Sequence, residues 1–272
     1  MKFSGLFCLF FLVVLLGRYG EAQPLIVGTY NLRNLGNPIG LEKDLQELPL
    51  VDIWAFQEVM FRGRTPFSTF SKLLPKEGFW RVSAPISIKD SSADIWEGHA
   101  IVSRFPIEQT GIIPLQQALV QARAALYAII NINGKRILFI NTDHDIDHWQ
   151  VGYLERQKNI RSLLAGIERL NFDGPQIVVG DFNTADSYPN WVRGLRGRDE
   201  IRLTQQDFIN QGWQTPASQH SDPYTFSQMG IKQQLDHFFF KGLFSSTPWR
   251  RLDSREGSDH YPLFFKAELP SP

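Results

Sequence analysis

Cysteine is almost absent from this chain. Its 272 residues contain one cysteine, Cys8, which lies inside an apolar N-terminal run from Leu6 to Leu16. If this run is removed during processing, the mature protein has no thiol, so disulfides and thiolate catalysis are both excluded. A domain without disulfides depends on its hydrophobic core, which a chain of about 250 residues can build.

The chain also lacks an excess of charge of either sign, since 28 basic residues balance 28 acidic ones. Proteins that hold nucleic acid by charge alone are strongly basic, so that class is excluded, although a local basic surface still permits a nuclease. Three catalytic motifs are missing too: a Gly-x-Ser-x-Gly elbow, a His-Glu-x-x-His zinc helix and a Walker loop. Chemistry that depends on these motifs is therefore not indicated.

The N-terminus has the pattern of a signal peptide. Met1-Lys2 supplies a basic start, the apolar run follows, and small residues precede a plausible cleavage site after Ala22. We expect residues 1–22 to be removed, which makes the protein secreted or periplasmic and leaves no stable membrane insertion. The run is short for a membrane span, so an uncleaved anchor is the less favoured alternative. No linker rich in proline, glycine or serine divides residues 23–272, which we predict to form one catalytic domain.

Apolar segments with strand and helix periodicity alternate along this domain without a strict strand–helix–strand rhythm. This predicts mixed sheets covered by helices. The Asn133-Gly134 turn between two apolar runs predicts a hairpin. The predicted helices cover residues 41–50, 67–74 and 153–170. The predicted strands cover residues 25–30, 52–58, 79–86, 99–105, 124–132, 135–142, 176–180, 234–240 and 261–269.

The predicted strand over residues 176–180 ends in a polar cluster. Its β-branched run is typical of a strand covered on both faces, and Gly180 then lets the backbone turn. Asp181 and Asn183 follow at positions that share one side if the extended geometry persists. By itself this pattern is more often a strand followed by a turn than a functional site.

Polar residues recur at the ends of other predicted strands, where residues from different strands can meet. Four of the six histidines follow an aspartate directly, although we interpret His237 as a core histidine. Carboxylates suit a hard cation such as Mg²⁺, a histidine can act as a base near neutral pH, and asparagine can donate to phosphate oxygens. Such a set indicates phosphoryl or phosphodiester hydrolysis. Its members are Asn31, Glu58, the segment 143–148, Asp181, Asn183, Asp236, His237, Asp259 and His260.

With these residues in hand, the chain resembles the endonuclease/exonuclease/phosphatase superfamily, which has the fold of pancreatic deoxyribonuclease. The matching motifs are short, but they occur in the family's order over residues 25–265. They are Tyr30-Asn31-Leu32-Arg33, Phe56-Gln57-Glu58-Val59, the segment 98–107, Gly180-Asp181-Phe182-Asn183, Leu235-Asp236-His237-Phe238 and Ser258-Asp259-His260-Tyr261-Pro262-Leu263. The resemblance implies a four-layer α/β sandwich, in which two mixed β-sheets pack face to face with helices outside.

The resemblance also implies roles in binding. Glu58 corresponds to the metal ligand, with Asn31 nearby on the metal or the phosphate. Mg²⁺ is the expected cofactor, with Mn²⁺ or Ca²⁺ as alternatives. Asn183 would contact the scissile phosphate. His99, where the family more often has asparagine, is a candidate for lining the substrate pocket.

The implied catalytic roles fall on the remaining acids and histidines. Asp181 would orient the nucleophile, His260 would be the general base, and Asp259 would orient His260. Asp236 would orient the family's other catalytic histidine.

The position of this other histidine is where the chain departs from the family. The usual pattern is Asn-Thr-His-Leu, whereas here Asn141-Thr142 is followed by Asp143 and His144. A one-residue bulge would return His144 to the catalytic position. We therefore predict His144 as the catalytic residue, with His148 in reserve and Asp143 as the residue that an ungapped alignment selects.

The expected activity is metal-dependent hydrolysis of a phosphodiester, with nucleic acid as the first choice of substrate. The arginines between residues 193 and 202 and the tryptophans Trp149 and Trp191 suit a nucleic-acid groove. Phospholipid head-group hydrolysis and phosphomonoester hydrolysis are the alternatives, and a non-catalytic binding protein on the same fold is the third. We expect a monomer.

Overall fold

The computed structural model describes most of the predicted domain. The described ranges are residues 23–47, 50–74, 78–116, 122–144, 150–184, 200–242, 245–253 and 255–269. The predicted signal peptide lies outside them. Within these ranges, no helix has both the length and the apolar character that crossing a membrane requires.

The first of two large sheets is mixed and holds eight strands. They are β1 (Gln23–Asn31), β2 (Ile53–Arg62), β3 (Thr65–Pro66), β4 (Trp80–Asp90), β5 (Ile95–Ser103), β13 (Ser245–Ser246), β14 (Arg250–Arg251) and β15 (Leu263–Leu269). Their main order is β13-β15-β1-β2-β5-β4, with β14 beside β15 and β3 beside β2. Strands β1 and β2 are parallel, so the polar ends of both lie at the same edge of the sheet.

The second sheet has five strands in the order β12-β9-β8-β7-β6. They are β6 (Ile107–Pro114), β7 (Ala124–Ile132), β8 (Lys135–Asp143), β9 (Gln176–Asp181) and β12 (Asp236–Lys241). Strands β7 and β8 form the predicted hairpin, while β8 and β9 are parallel. A separate small hairpin joins β10 (Phe226–Gln228) to β11 (Ile231–Gln233).

The helices cover the outer faces of the two sheets. Their bounds are α1 (Pro38–Glu47), α2 (Ser68–Leu73), α3 (Gln150–Arg169) and α4 (Glu200–Ile209). Three were predicted within a few residues. The helix α4 lies between the predicted strands 176–180 and 234–240, where no helix bounds were predicted.

Alternation along each strand explains the layers, because successive side chains point to opposite faces. Val27 of the first sheet and Val179 of the second are fully buried in the same core between the sheets. Their neighbours face outward: Val178 packs in the core that includes Leu163 of α3. Leu41 of α1 lies in a third core on the outer face of the first sheet. The predicted four-layer sandwich is therefore confirmed.

Besides several strands of two or three residues, one longer strand of the described residues was not predicted. The segment Ile107–Pro114 forms β6, the edge strand of the second sheet. Polar residues and a glycine interrupt its apolar pattern, and most of its residues are not fully buried. An edge strand needs less apolar surface than a central one, so its periodicity is weak.

Candidate active site

A cluster of acidic and amide side chains lies in the space between the sheets, at one end of it. Asn31, Asp143, Asp181 and Asp236 stand at the ends of β1, β8, β9 and β12. In each strand, the residues of the core between the sheets lie two, four or six positions from the polar residue, so they share its face of the strand. All four therefore point into the same space, and all four are buried.

Glu58 reaches this cluster through an irregularity in β2. Before it, even-numbered residues such as Phe56 face the outer core; after it, the odd-numbered Val59 and Phe61 do so. The register between β2 and β5 shifts between Phe56 and Val59, and Glu58 has a φ of 53°. A bulge of this kind redirects side chains. Without it, Glu58 would point away from the cluster, with Phe56.

Asn31 links the two principal carboxylates. Its Nδ2 donates to Glu58 Oε1 at 3.0 Å and to Asp181 Oδ2 at 3.1 Å, while its Oδ1 accepts the N–H of Arg33 at 2.9 Å. The second oxygen of Glu58 accepts from Asn34 Nδ2 at 2.8 Å. Asn31 therefore holds two acids from opposite sheets together.

Burial among like charges makes these carboxylates weak acids. Burial, followed by the nearby Glu97 carboxylate, raises the pKa of Glu58 to about 7, against the opposing effect of the Asn31 hydrogen bond. Burial also raises the pKa of Asp181 to about 6, although His260 opposes this. A concentration of buried acids is costly unless a positive charge compensates it.

This donor set fits a hard divalent cation. Glu58 Oε1 and Asp181 Oδ2 converge, because both accept from the same Asn31 nitrogen, and carboxylate oxygens are the ligands such ions prefer. Ligand atoms of Asp181, Asp236 and His260 also lie within 4.8 Å of one another. Since both nitrogens of His260 already face carboxylates, this second group fits a proton relay better than a metal site.

His260 is held between two carboxylates. Its Nδ1 contacts Asp236 Oδ2 at 2.9 Å, and its Nε2 lies 3.5 Å from Asp181 Oδ2. Thr225 Oγ1 donates to the same Asp236 oxygen at 2.7 Å, which fixes that carboxylate. Burial alone would lower the pKa of His260, but the Asp236 and Asp181 carboxylates outweigh it and raise the pKa to about 10.

Two predicted partnerships are corrected by this arrangement. Asp236 orients His260 and not another histidine, whereas Asp259 points elsewhere. The Asp259 Oδ2 lies 3.3 Å from Arg33 Nε. Asp259 and His260 are adjacent in sequence, but the fold separates their side chains.

The predicted bulge before His144 is not present. Strands β8 and β9 pair in one continuous parallel register from Leu138 to Asp143, which lies beside Asp181. Asp143 therefore points between the sheets, while the fully buried His144 faces the outer core with its ring centroid 4.5 Å from that of Phe182. Burial lowers the pKa of His144 well below its usual value. The structure thus brings Asp143 into the cluster and leaves the His144 ring outside it.

Asp143 belongs to a buried ion pair that the sequence analysis did not identify. Arg123 Nη1 donates to Asp143 Oδ2 at 2.9 Å, and both side chains are almost fully buried. Asn183, which has a φ of 51°, donates from Nδ2 to the His144 carbonyl at 3.1 Å and approaches Asp143 Oδ1 at 3.4 Å. Its own N–H donates to Asp181 Oδ1 at 2.8 Å. Asn183 therefore lies beside Asp143 and Asp181, in a left-handed backbone conformation that follows β9.

The other predicted histidines lie outside the cluster's hydrogen bonds. His99 is buried, and its Nε2 donates to the Ala124 carbonyl of the opposite sheet at 2.9 Å. His237 faces the outer core, as predicted, and a hydrogen bond of 3.0 Å joins its Nε2 to Thr184 Oγ1. His148 lies outside the described residues, as do Trp149, Trp191 and the arginines at positions 193, 196 and 198.

A second amide, Asn141, fixes the two sheets beneath the site. Its Nδ2 donates to the carbonyls of Phe56 and Ala100, at 2.8 and 3.0 Å, and its Oδ1 accepts from Gln57 Nε2 at 2.6 Å. All these partners belong to the first sheet, whereas Asn141 belongs to β8 of the second. A polar residue at an inward-facing position of an apolar strand was the available signal for this role.

Solved structures share this fold at low sequence identity. An endonuclease/exonuclease/phosphatase from Beutenbergia cavernae is 16% identical with a TM-score of 0.71, and the match covers 91% of this chain and 72% of that one. A mannosyl-6-phosphatase from Bacteroides thetaiotaomicron is 18% identical, with a TM-score of 0.63 and coverage of 89% and 99%. A beta toxin from Staphylococcus aureus is 15% identical, with a TM-score of 0.65 and the same coverage.

The sequence itself carries the family assignment. No curated protein matches the chain significantly. The family model does match, over residues 28–260, a range that runs from β1 to the histidine of the cluster. Together with the fold and the arrangement of Glu58, Asp181 and His260, this match shows that the chain belongs to the endonuclease/exonuclease/phosphatase family and is a phosphoesterase.

Proposed function

We propose that this protein is a divalent-metal-dependent phosphodiester hydrolase, and that nucleic acid is its substrate class. The observation that carries the proposal is the His260 ring held between Asp236 and Asp181, close to the partly buried carboxylate of Glu58. It supplies a proton acceptor, a group that fixes this acceptor, and ligands for a cation in one place.

The Asp236 contact decides which atom of His260 does chemistry. Because Nδ1 is bound to Asp236, the nitrogen that can exchange a proton with water is Nε2, on the side of Asp181. We propose that the attacking water lies beside this pair and contacts both His260 Nε2 and Asp181. A cation held by Asp181 would offset part of the charge that raises the pKa of His260, and so would favour the ring form without a proton on Nε2. In that form, the water proton passes to Nε2 as the water oxygen attacks phosphorus and the bond to the leaving oxygen breaks.

The remaining polar groups would hold the phosphate. Asn183 Nδ2 lies on the Asp143 side of the cluster, where an amide can donate to a non-bridging phosphate oxygen. Glu58 and Asp181 would hold a Mg²⁺ or Mn²⁺ ion, which when bound stabilises the negative charge that develops on the phosphoryl group. Arg123 keeps Asp143 paired, so that this acid does not repel the substrate.

A phosphomonoesterase is the second candidate. It is favoured by the likeness to the mannosyl-6-phosphatase, which extends over 89% of this chain. Secretion after removal of residues 1–22 and a monomeric state also remain proposals.

Substrate assays with metal controls test the proposed activity. The protein is incubated with Mg²⁺ or Mn²⁺ and plasmid DNA, RNA, sphingomyelin, bis-p-nitrophenyl phosphate or p-nitrophenyl phosphate, with EDTA controls. We expect EDTA-sensitive cleavage of nucleic acid and of the diester, with activity at least about 100-fold lower in His260→Ala. Preference for the monoester would favour the second candidate, and hydrolysis of no substrate at any pH would refute the proposal.

Metal binding can be measured without turnover. We expect Mg²⁺ or Mn²⁺ to raise the melting temperature, by the equivalent of about 2.7 kcal/mol at 100 times the dissociation constant. Glu58→Gln should abolish the increase, whereas Glu108→Gln, at a distant exposed position, should retain it. Because the pKa of Glu58 is raised to about 7, protons should compete with the metal, and the increase should shrink as the pH falls below that value. An unchanged response in Glu58→Gln would exclude Glu58 as the ligand.

A further inference from the structure

The turn that follows β1 is strained and tied to the site. Arg33, Asn34 and Leu35 have φ values of 47°, 55° and 58°, so three consecutive residues other than glycine are left-handed. Such conformations persist only where the surroundings over-determine them, and they are concentrated at functional sites. Here the Arg33 N–H donates to Asn31 Oδ1, and Asn34 Nδ2 donates to Glu58 Oε2. The strain therefore places Arg33 beside the acidic cluster.

The Arg33 side chain is tethered but accessible. Its Nε lies 3.3 Å from Asp259 Oδ2, and its side chain is 52% exposed, whereas that of Asp259 is only 15% exposed. Asp259 immediately precedes His260 but does not orient the His260 ring, which is held by Asp236. The contact with Arg33 instead holds a partly exposed guanidinium beside the residue that precedes the candidate catalytic histidine.

An anionic substrate needs cationic groups here, because the acids of the cluster repel it. Arg123 also lies at the cluster, but it is buried and bound to Asp143. Arg33 differs because half of its side chain faces solvent while the candidate catalytic groups His260, Asp181 and Asp236 are buried. A cation outside the buried centre can contact only the part of a substrate that also remains outside it.

We propose that Arg33, tethered by Asp259, binds a substrate phosphate other than the one that is cleaved. The ligand class is then a chain with several phosphates, such as an oligonucleotide, and Arg33 favours it over a compound with a single phosphate. Arginine suits this contact because its planar guanidinium donates several hydrogen bonds to phosphate oxygens. This inference rests on the proposed function and specifies its substrate class.

Two substrates separate binding outside the centre from chemistry inside it. Kinetics are measured with a short single-stranded DNA oligonucleotide and with bis-p-nitrophenyl phosphate, for wild type, Arg33→Ala, Arg33→Lys and Asp259→Asn. The matched control is Arg104→Ala, since Arg104 also pairs with a largely buried acid, Asp52, at 2.8 Å and is 42% exposed. This pair is a suitable control because Asp52 precedes β2, so it lies several residues along the chain from Glu58 and the site.

We expect Arg33→Ala to raise KM for the oligonucleotide about tenfold, equivalent to one charge-assisted hydrogen bond, with little change in kcat. Arg33→Lys should have a smaller effect, because lysine keeps the charge but loses the planar donors. The diester should be hydrolysed normally by both variants. Asp259→Asn should raise the oligonucleotide KM less than Arg33→Ala does, since it releases the tether but keeps the cation.

Binding without turnover provides an independent measurement. Fluorescence anisotropy of the labelled oligonucleotide in EDTA should show weaker binding for Arg33→Ala, with the slope of log K against log salt reduced by about 0.7 for one lost contact to a single strand. An Arg33→Ala protein that matches Arg104→Ala in both KM and binding would overturn the inference. So would an equal loss on both substrates, which would place Arg33 in the reaction centre.

The Asp259→Asn variant distinguishes the two roles considered for this acid. A collapse of kcat on the small diester would mean that Asp259 acts on His260, and the tether would be rejected. A wild-type protein that hydrolyses no phosphodiester would refute the proposed function. If that protein still binds the oligonucleotide through Arg33, the binding inference stands alone; if it does not, both fail.

Discussion

Asp143 and His144 are neighbours in sequence, yet they lie on opposite faces of β8. Ile137 and Phe139 belong to the core between the sheets, whereas Leu138 and Ile140 belong to the outer core. Continuing this alternation places Asp143 inward and His144 outward. The alternation is visible in the sequence, but the pairing of β8 with β9 decides whether a bulge interrupts it before His144.

Separate substitutions of Asp143 and His144 test which of the two residues belongs to the site. We expect Asp143→Ala to lose at least about tenfold in activity, because it removes the carboxylate that pairs with the buried Arg123 cation and removes a contact of Asn183. His144→Leu should keep most of its activity, since leucine replaces a ring packed on Phe182. Diester hydrolysis by both variants provides the comparison, with melting temperatures to exclude unfolding. Loss of diester hydrolysis in His144→Leu and not in Asp143→Ala would show that His144, and not Asp143, takes part in the reaction.

At the scale of single elements, the end of β9 has room for only one residue type at position 180. Gly180 has a φ of 143°, and a Cβ at this position would lie 1.9 Å from the carbonyl oxygen of Thr142 in the adjacent strand β8. This close approach lets the parallel pairing continue to Asp143 and Asp181. Glycine is therefore required sterically for the two acids to end side by side.

Substituting alanine for Gly134 and, separately, for Gly180 distinguishes this steric requirement from the cost of a positive φ. Gly134 in the β7–β8 turn has a φ of 91°, but a Cβ there would have no neighbour within 4 Å. We expect Gly134→Ala to cost about 1 kcal/mol, from the positive φ alone. Gly180→Ala should cost at least about 2 kcal/mol more, since neighbouring backbone must move as well. Denaturant unfolding of both variants measures the difference, and equal costs would show that β9 tolerates a side chain here.

The whole molecule places polar groups in two kinds of surroundings. One set lies between the sheets and forms the site, and another set, including His237, lies within the packed layers. Burial lowers the pKa of His237 and of His99 to about 4 in each case. Both rings are therefore neutral in the folded protein at neutral pH.

Acid should destabilise the fold through these rings. The unfolded histidine has a pKa of about 6.5, so between that value and about pH 4 the unfolded chain binds protons that the folded chain does not. Stability is lost as the pH falls through this window, by up to about 3 kcal/mol per histidine. The raised pKa of Asp181 acts in the opposite direction, so a single substitution must isolate each contribution.

His237→Gln provides that isolation. The stability difference between wild type and this variant should change between pH 7.5 and pH 5, in favour of the variant at the lower pH. His220 is only partly buried, and solvent screens its charge. The stability difference between wild type and His220→Gln should therefore change less with pH. Urea unfolding at both pH values measures the two differences. A pH-independent difference for His237→Gln would mean that folding does not shift the pKa of His237.

The sequence by itself determined the layers and most members of the site. Apolar periodicity predicted mixed sheets covered by helices, because burying one face of each strand and helix is a local pattern, and the family resemblance implied the four-layer sandwich. The ordered motifs selected Glu58, Asp181, Asp236 and His260, because catalytic residue types at strand ends are visible in one dimension. The edge strand β6 was not predicted, because it buries too little apolar surface for its sequence to show a clear strand periodicity.

Only the tertiary structure decided how these residues are paired. The bulge at Glu58 reverses the direction of its side chain, the continuous register of β8 excludes the His144 ring, and the Asp259 side chain binds Arg33 in place of His260. Each outcome depends on a one-residue shift or on the approach of segments distant in sequence. Such contacts are set by the packing of two sheets, so no local pattern encodes them.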